Sequence, residues 1–244
     1  MKTLLNHSTD AKTIKGEKFG YLTGILYLAP AHESGVMNTC PMASDGCKAG
    51  CLFTAGRAAI FPAVIEARIR KTQELFQDRV KFTAQLTKDI EALIRKAARE
   101  SLIPAVRING TSDLPQLALE LARAFPTVQF YDYTKIPRPW TRVLPNYHLT
   151  FSLHESNLPA AMDALSHGIN VAVVFDVRKG KQLPLLWNGY RVIDGDVSDL
   201  RFLDSKSLAQ AGLGSAPVIV GLRAKGEAKK DTLGFVQISG MERN

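Results

Sequence analysis

The chain has 244 residues, of which 45% are hydrophobic and 22% are charged, so its composition is that of an ordinary globular protein. No stretch approaches the roughly 18 apolar residues of a transmembrane helix, and no change in composition marks a linker. The first ten residues contain no long apolar core and no cleavage-like pair of small residues. We therefore expect a cytoplasmic protein without membrane attachment. We also expect a single domain over residues 1–244, with residues 1–20 as an N-terminal extension.

The net charge of +8 permits a nucleic-acid partner, although it does not require one. The basic residues are spread along predicted helices and tails and form no dense run, a distribution typical of a solvated surface. A small-molecule substrate is the other class of partner that stays open.

The predicted elements begin with a buried strand at 21–29, an apolar run that ends at Pro30. Apolar residues at helical spacing then predict two helices, over 61–76 and 81–100. Beyond them strands and helices alternate: strands at 105–108, 128–131, 148–151, 171–175, 190–193 and 218–222, helices at 114–123 and 158–166, and a last strand at 234–238 as a hairpin partner. This order predicts an α/β fold with mostly parallel strands. A TIM-like barrel, complete or partial, is our first expectation, and an open doubly wound sheet is the second.

All three cysteines of the chain, Cys40, Cys47 and Cys51, lie within twelve residues directly after the first predicted strand. A disulfide would leave one thiol over, and a closed structural zinc site needs four ligands. Soft thiolates select iron–sulfur clusters, zinc or copper(I). Three thiolates suit a 4Fe-4S cluster with one iron open to another ligand, and this is the cofactor that we expect.

Two alternatives to an open cluster remain. His32 is the nearest candidate for a fourth ligand, which would complete a zinc site or cap the fourth iron. The cysteines are otherwise three small core residues that bind no metal. Gly46 and Gly50 favour the metal interpretations, because glycines let a backbone curl around a compact centre.

Polar residues follow almost every predicted strand, where the loops of a parallel α/β fold build the functional site. Asp132 and Lys135 are candidates for acid–base catalysis. Four further residues are candidates for binding a cofactor or substrate: Asn109, Asp113, Ser152 and Asp194. Turn formation and helix capping explain several of these residues equally well. We expect these groups and the cysteine loop to face one another around one mouth.

Several strings resemble an uncharacterised family of bacteriophage-encoded proteins. They are NTCP at 38–41, GC at 46–47, CLFTAGR at 51–57, ARIRKT at 67–72, RINGTSD at 107–113, FYDYTK at 130–135, NYHLTFS at 146–152, VIDGD at 192–196 and GLRAKG at 221–226. The resemblance covers the chain from about residue 21 to about residue 235. It implies a phage protein that acts in the host cytoplasm, and it implies no particular activity.

The cysteine loop is also similar, more loosely, to that of the radical S-adenosylmethionine enzymes, which hold a 4Fe-4S cluster after the first strand of a partial barrel. Those enzymes usually space their cysteines C-x3-C-x2-C, whereas the spacing here is C-x6-C-x3-C. The likeness implies S-adenosylmethionine as a second cofactor and radical chemistry. Two other functions stay open, namely a non-catalytic cluster protein for redox or host-factor binding, and a zinc-stabilised nucleic-acid-binding module.

Overall fold

The computed structural model of the chain describes residues 2–7, 11–54, 61–204 and 216–239. The chain divides into two compact units, each described by itself below. Unit one comprises Met1–Pro41, Arg57–Asp132 and Leu144–His148. Unit two comprises Met42–Gly56, Tyr133–Val143 and Leu149–Asn244.

The described residues form a mixed α/β structure. The α-helices are α1 (Ala11–Glu17), α2 (Asp45–Ala49), α3 (Pro62–Gln77), α4 (Arg79–Arg99), α5 (Pro115–Ala124) and α6 (Leu158–Ser166). The strands are β1 (Leu5–Asn6), β2 (Tyr21–Leu26), β3 (Ile103–Arg107), β4 (Gln129–Thr134), β5 (Tyr147–Ser152), β6 (Val171–Phe175), β7 (Leu186–Trp187), β8 (Tyr190–Asp194), β9 (Ile219–Arg223) and β10 (Val236–Gln237). Most of the strand pairs are parallel, so the predicted α/β class is confirmed. These pairings do not show a closed barrel.

Unit one contains a sheet in the order β1-β2-β3-β4, in which β1 is antiparallel to β2 and the other pairs are parallel. Helix α4 packs against β2 and β3. Its buried stripe includes Phe82, Leu86 and Ile90, which recur at the three- to four-residue spacing of one helix face. Asp78 caps this helix by accepting a hydrogen bond from the Lys81 N–H at 2.9 Å.

The segment before α1 belongs to the sheet of unit one. The Asp89 carboxylate accepts hydrogen bonds from the backbone N–H groups of Leu4 and Leu5, at 2.6 and 3.2 Å. The Lys71 ammonium donates to the Leu4 carbonyl at 2.6 Å. Burial, and then the neighbouring Arg70 charge, lowers the pKa of Lys71 to about 8. Strand β1 and helix α1 lie within residues 1–20, the stretch that we expect to be an N-terminal extension.

Unit two contains a sheet in the order β5-β6-β9-β8-β7, in which only β7 runs antiparallel to its neighbour among the strands described. Its core includes Phe151, Val173 and Phe175 from the strands and Ala161 and Leu165 from α6. The two-residue strand β10 pairs in parallel with β6.

The prediction that residues 234–238 form a hairpin partner is wrong. A hairpin would set β10 antiparallel to the preceding strand, β9, whereas β10 pairs in parallel with β6, with Val236 beside Val174. The connection from residue 224 to 235 contains a 3-10 segment, Gly226–Lys230, and is too long for a tight hairpin turn. This connection lets the chain return to β6.

No helix in the described ranges is both long enough and apolar enough to cross a membrane.

Candidate functional site

A buried polar network in unit one joins the ends of β3 and β4. The backbone N–H of Asn109 donates to Asp132 Oδ1 at 2.7 Å, and Asn109 Nδ2 donates to Asp132 Oδ2 at 3.0 Å. The Tyr147 hydroxyl donates to the same Oδ2 at 3.1 Å. All three side chains are at least 98% buried. The structure therefore brings together two residues predicted from the sequence, Asn109 and Asp132, and adds Tyr147.

Burial raises the pKa of Asp132 to about 7. The Arg107 charge and the hydrogen bonds from Asn109 and Tyr147 act in the opposite direction, but they do not restore the ordinary value. A carboxyl group that titrates near neutral pH can accept or release a proton under physiological conditions, which is the property that a general acid or base requires.

Asn109 connects this network to the loop that precedes α5. Its Oδ1 accepts hydrogen bonds from Ser112 Oγ at 3.0 Å and from the Leu114 N–H at 2.8 Å. In the same loop the Thr111 carbonyl oxygen lies 3.6 Å from Cys40 Sγ, which donates to it. The Asn109 amide thus fixes the loop whose backbone contacts Cys40.

A second contact holds this loop beside the start of the cysteine segment. The Asp113 N–H donates to the Thr39 carbonyl at 2.7 Å, and Thr39 Oγ1 donates to the Ala29 carbonyl at 2.6 Å. Asp113, a predicted binding residue, is itself 8% exposed. Its backbone thereby positions the residue that precedes Cys40.

None of the three cysteines forms a disulfide, and each is half-buried. Cys40 belongs to unit one, where its N–H donates to Asn38 Oδ1 at 2.9 Å. Cys47 and Cys51 belong to unit two. Cys47 lies in α2, and its N–H donates to Ser44 Oγ, the N-cap of that helix, at 3.2 Å.

Glu155, which follows β5, holds helix α2 in place. One carboxylate oxygen accepts from Ser44 Oγ at 2.7 Å, and the other accepts from the Gly46 N–H at 2.8 Å. A Cβ atom on Gly46 would lie 2.8 Å from Glu155 Oε2 and 2.8 Å from Phe235 Cβ, so glycine is required for this close approach. Burial raises the pKa of Glu155, but the hydrogen bonds from Ser44, from its own backbone N–H and from Gly46 outweigh burial and hold the pKa below its ordinary value.

The remaining predicted residues lie in unit two. Lys135 is half-buried, and its charge adds to burial in lowering the pKa of His154. Ser152 is half-buried, and its carbonyl accepts from Asn157 Nδ2 at 3.0 Å. Both Asp194 oxygens accept from one nitrogen of Arg223, each at 2.9 Å. Asp194 is therefore already engaged in a surface ion pair.

The chemistry of the three thiols fits thiolate ligation of a soft metal centre, because none is consumed in a disulfide and none is fully buried. His32, the candidate fourth ligand, has an exposed side chain. Within the described ranges no three His, Cys, Asp or Glu side chains form a group that could hold a metal. Residues 55–57 of the CLFTAGR string lie outside the described residues.

The sequence analysis did not identify Tyr147, Ser44 or Arg107 as candidate site residues. Tyr147 reaches Asp132 from a neighbouring part of the fold, so no local spacing pattern links the two residues. Ser44 carries a signal that was available, because a serine directly before a short helix is a typical N-cap.

A comparison with protein families matches residues 3–237 to the family described as Gene product 88. The chain belongs to the Gene product 88 family. The family's name is a gene-product number of the kind given to phage genes, which agrees with the resemblance to phage proteins. The name states no activity. Comparison of this Gene product 88 family member with curated proteins and with solved structures gave no match.

Proposed function

We propose that this phage protein binds an iron–sulfur cluster in the host cytoplasm, with Cys40, Cys47 and Cys51 as the ligands of a 4Fe-4S centre. The observation that carries the proposal is that all three cysteines of the chain lie within twelve residues, are half-buried and form no disulfide. Cysteine thiolates are the standard ligands of such clusters, and three of them leave one iron open. The bound cluster would supply one-electron chemistry.

The surroundings of the thiols support this proposal in each unit. Cys40 Sγ contacts the Thr111 carbonyl, in a loop that Asn109 fixes. Cys47 lies on a short helix held by a carboxylate through two hydrogen bonds. Metal ligands in proteins are commonly oriented by surrounding hydrogen bonds of this type, which hold the ligand in position before the metal arrives.

We infer that the centre serves an enzyme, with TIM-like barrel architecture and S-adenosylmethionine as a second cofactor. The support is the buried Asp132 carboxyl, whose raised pKa suits proton transfer. In this proposal Asp132 and Lys135 act on the substrate. Four residues bind the cofactor or substrate: Asn109, Asp113, Ser152 and Asp194. For Asp194 this requires the ligand to displace Arg223.

The cluster is tested by anaerobic purification followed by iron, sulfide and zinc analysis and an optical spectrum. We expect broad absorption near 400 nm and about four irons per chain. Single Cys→Ser substitutions at each of the three positions should abolish both. The matched control is Lys48→Ala in the same helix, because the Lys48 side chain is 51% exposed and pairs with Asp45 at the surface.

A colourless protein with one zinc per chain would refute the cluster and favour the zinc-stabilised module. If the cluster forms, His32→Ala separates an open site from a closed one. Loss of iron in this variant would favour the non-catalytic redox or host-factor-binding protein, in which His32 closes the site. Unchanged iron content together with calorimetric binding of S-adenosylmethionine would support the enzyme.

A further inference from the structure

Unit two contains a cavity of about 1240 Å³ outside the carboxyl ends of two adjacent parallel strands, β5 and β6. Its wall includes Leu153, His154 and Glu155, which follow β5, and Phe175, the last residue of β6. The carboxyl ends of parallel strands are where α/β sheets bind ligands, and a cavity of this volume holds a drug-sized molecule. The position and size of the cavity thus point to a small-molecule site.

Ten of the seventeen residues that line the cavity have apolar side chains. Leu153 and Phe175 form a buried part of it, at 4% and 1% exposure. Trp187, another wall residue, is half-buried, and the large side chains of Leu186 and Leu233 in the wall are exposed to solvent. An apolar ligand body would cover these side chains and remove their surface from water, which favours binding.

The polar side chains in the wall are those of His154, Glu155, Asn188, Gln237 and Ser239, and only the first two of these can titrate. Burial, followed by the Lys135 charge, holds the pKa of His154 below its ordinary value, so its imidazole is neutral at pH 7. Its Nδ1 accepts a hydrogen bond from the Ser156 N–H at 3.3 Å, which leaves the ring proton on Nε2. His154 therefore adds no charge to the cavity.

Glu155 is ionised and held by its hydrogen bonds to Ser44 and Gly46. The carboxylate accepts these two hydrogen bonds and a third from the Glu155 backbone N–H, so one of its four lone-pair sites stays available for another donor. No Lys or Arg side chain lines the cavity among the residues that the structure describes. A fixed negative charge in a wall that otherwise consists of neutral side chains favours a ligand that carries a positive charge.

We propose that this cavity binds an organic amine with an apolar body, whose ammonium group pairs with the Glu155 carboxylate. Anionic ligands such as carboxylates are disfavoured, because the described wall offers them a like charge and no cation. The proposal does not depend on a metal centre, since every residue that carries it lies in unit two and none is a cysteine.

The test uses the metal-free full-length chain in a Trp140→Phe background, where Trp187 is the remaining tryptophan. The probes are 4-phenylbutylamine, 4-phenylbutan-1-ol and 4-phenylbutyrate, which share one apolar body and differ in the charge of their end group. Their binding is followed by Trp187 fluorescence and by calorimetry. We expect the amine to bind about tenfold more tightly than the acid, with the alcohol between them.

Glu155→Gln should bring the affinity for the amine down to that for the alcohol. The matched control, Glu227→Gln, makes the same charge change at an exposed residue outside the cavity and should leave the order of the probes unchanged. Leu186→Ala, at an exposed apolar wall position, should weaken all three probes alike.

The proposal is overturned if none of the probes binds, if the acid binds as tightly as the amine, or if Glu227→Gln has the same effect as Glu155→Gln. The comparison of the three probes on the unsubstituted cavity decides the question even if the Glu155 variant does not fold. Because the metal is absent throughout, failure here leaves the cluster proposal standing, and failure of the cluster leaves this test intact.

Discussion

Asp132 should make the protein less stable as the pH rises from about 4 to about 8. In the unfolded chain its carboxyl has the ordinary pKa of 3.8, whereas in the folded protein burial raises the pKa to about 7. Between these values the folded state holds a proton that the unfolded state has released, so the free energy of unfolding falls with rising pH. The loss is complete above the folded pKa and amounts to roughly 4 kcal/mol.

Asp132→Asn removes this titration while it keeps the shape of the side chain. The Asn oxygen can still accept from the Asn109 N–H, but its amide nitrogen faces Asn109 Nδ2, which is also a donor. We expect a cost of about 1–2 kcal/mol at pH 5. Because the wild type loses roughly a further 3 kcal/mol between pH 5 and pH 8, the variant should be at least as stable as the wild type at pH 8. Asp132→Ala should cost at least about 3 kcal/mol, because it leaves three buried donors without their acceptor.

The assay is urea unfolding between pH 4 and pH 8.5, followed by circular dichroism. Tryptophan fluorescence is unsuitable, because both tryptophans, Trp140 and Trp187, lie in unit two. Burial also raises the pKa of Asp204 to about 6, so the slope of the wild type alone is not diagnostic. The difference between the wild type and Asp132→Asn isolates Asp132, and equal pH slopes in the two proteins would refute this reasoning.

Three further predictions concern the anchor of α2 and the buried lysine. Glu155→Gln should loosen α2, because it weakens the hydrogen bonds that hold the helix. Iodoacetamide should then alkylate Cys47 several-fold faster in the metal-free chain, as measured by peptide mass spectrometry. An unchanged alkylation rate would contradict the anchoring role of Glu155. Gly46→Ala should lower the free energy of unfolding by about 1–3 kcal/mol in urea melts, because the new Cβ would lie 2.8 Å from Phe235 Cβ. A variant as stable as the wild type would contradict this packing. Lys71 should make stability rise between about pH 8 and 10.5, since the unfolded chain keeps the proton that the folded lysine has lost. Lys71→Met should abolish that rise in urea melts across this range.

Local sequence pattern was sufficient for the elements with a continuous apolar signal. Helix α6 and strand β6 have the predicted bounds, 158–166 and 171–175. The strand is an uninterrupted apolar run, the helix is apolar except at Asp163 and Ser166, and polar or turn-forming residues follow each of them. The pairing of β10 was not predictable in this way. A two-residue strand carries almost no periodicity, and its partner is fixed by the path of the preceding connection.

The hairpin of β7 and β8 was missed although its signal was present. Asn188 and Gly189 both have positive φ, of 47° and 79°, as a two-residue hairpin turn requires, and Asn-Gly is the dipeptide that favours this turn. The flanking Leu186 and Trp187 are too few to stand out as a strand.

The candidate site was predictable in its residue types and only partly in its contacts. Asn109 and Asp132 each directly follow a predicted strand, and the structure joins them by two hydrogen bonds. The role of Glu155 depends on a contact with Gly46, more than a hundred residues away in the sequence, and no spacing rule reveals such a contact. The pKa of Asp132 depends on burial, which a sequence pattern does not quantify.

The two short strands β1 and β7 limit how these sheets can associate with other chains. Each stands at the end of its unit's strand order, is only two residues long and pairs in antiparallel fashion with its neighbour. A long, flat outer strand would offer a row of unpaired backbone groups to a strand from another molecule. Strands of two residues offer very few, so these ends of the sheets are poor templates for strand addition, and aggregation at high expression levels is disfavoured there.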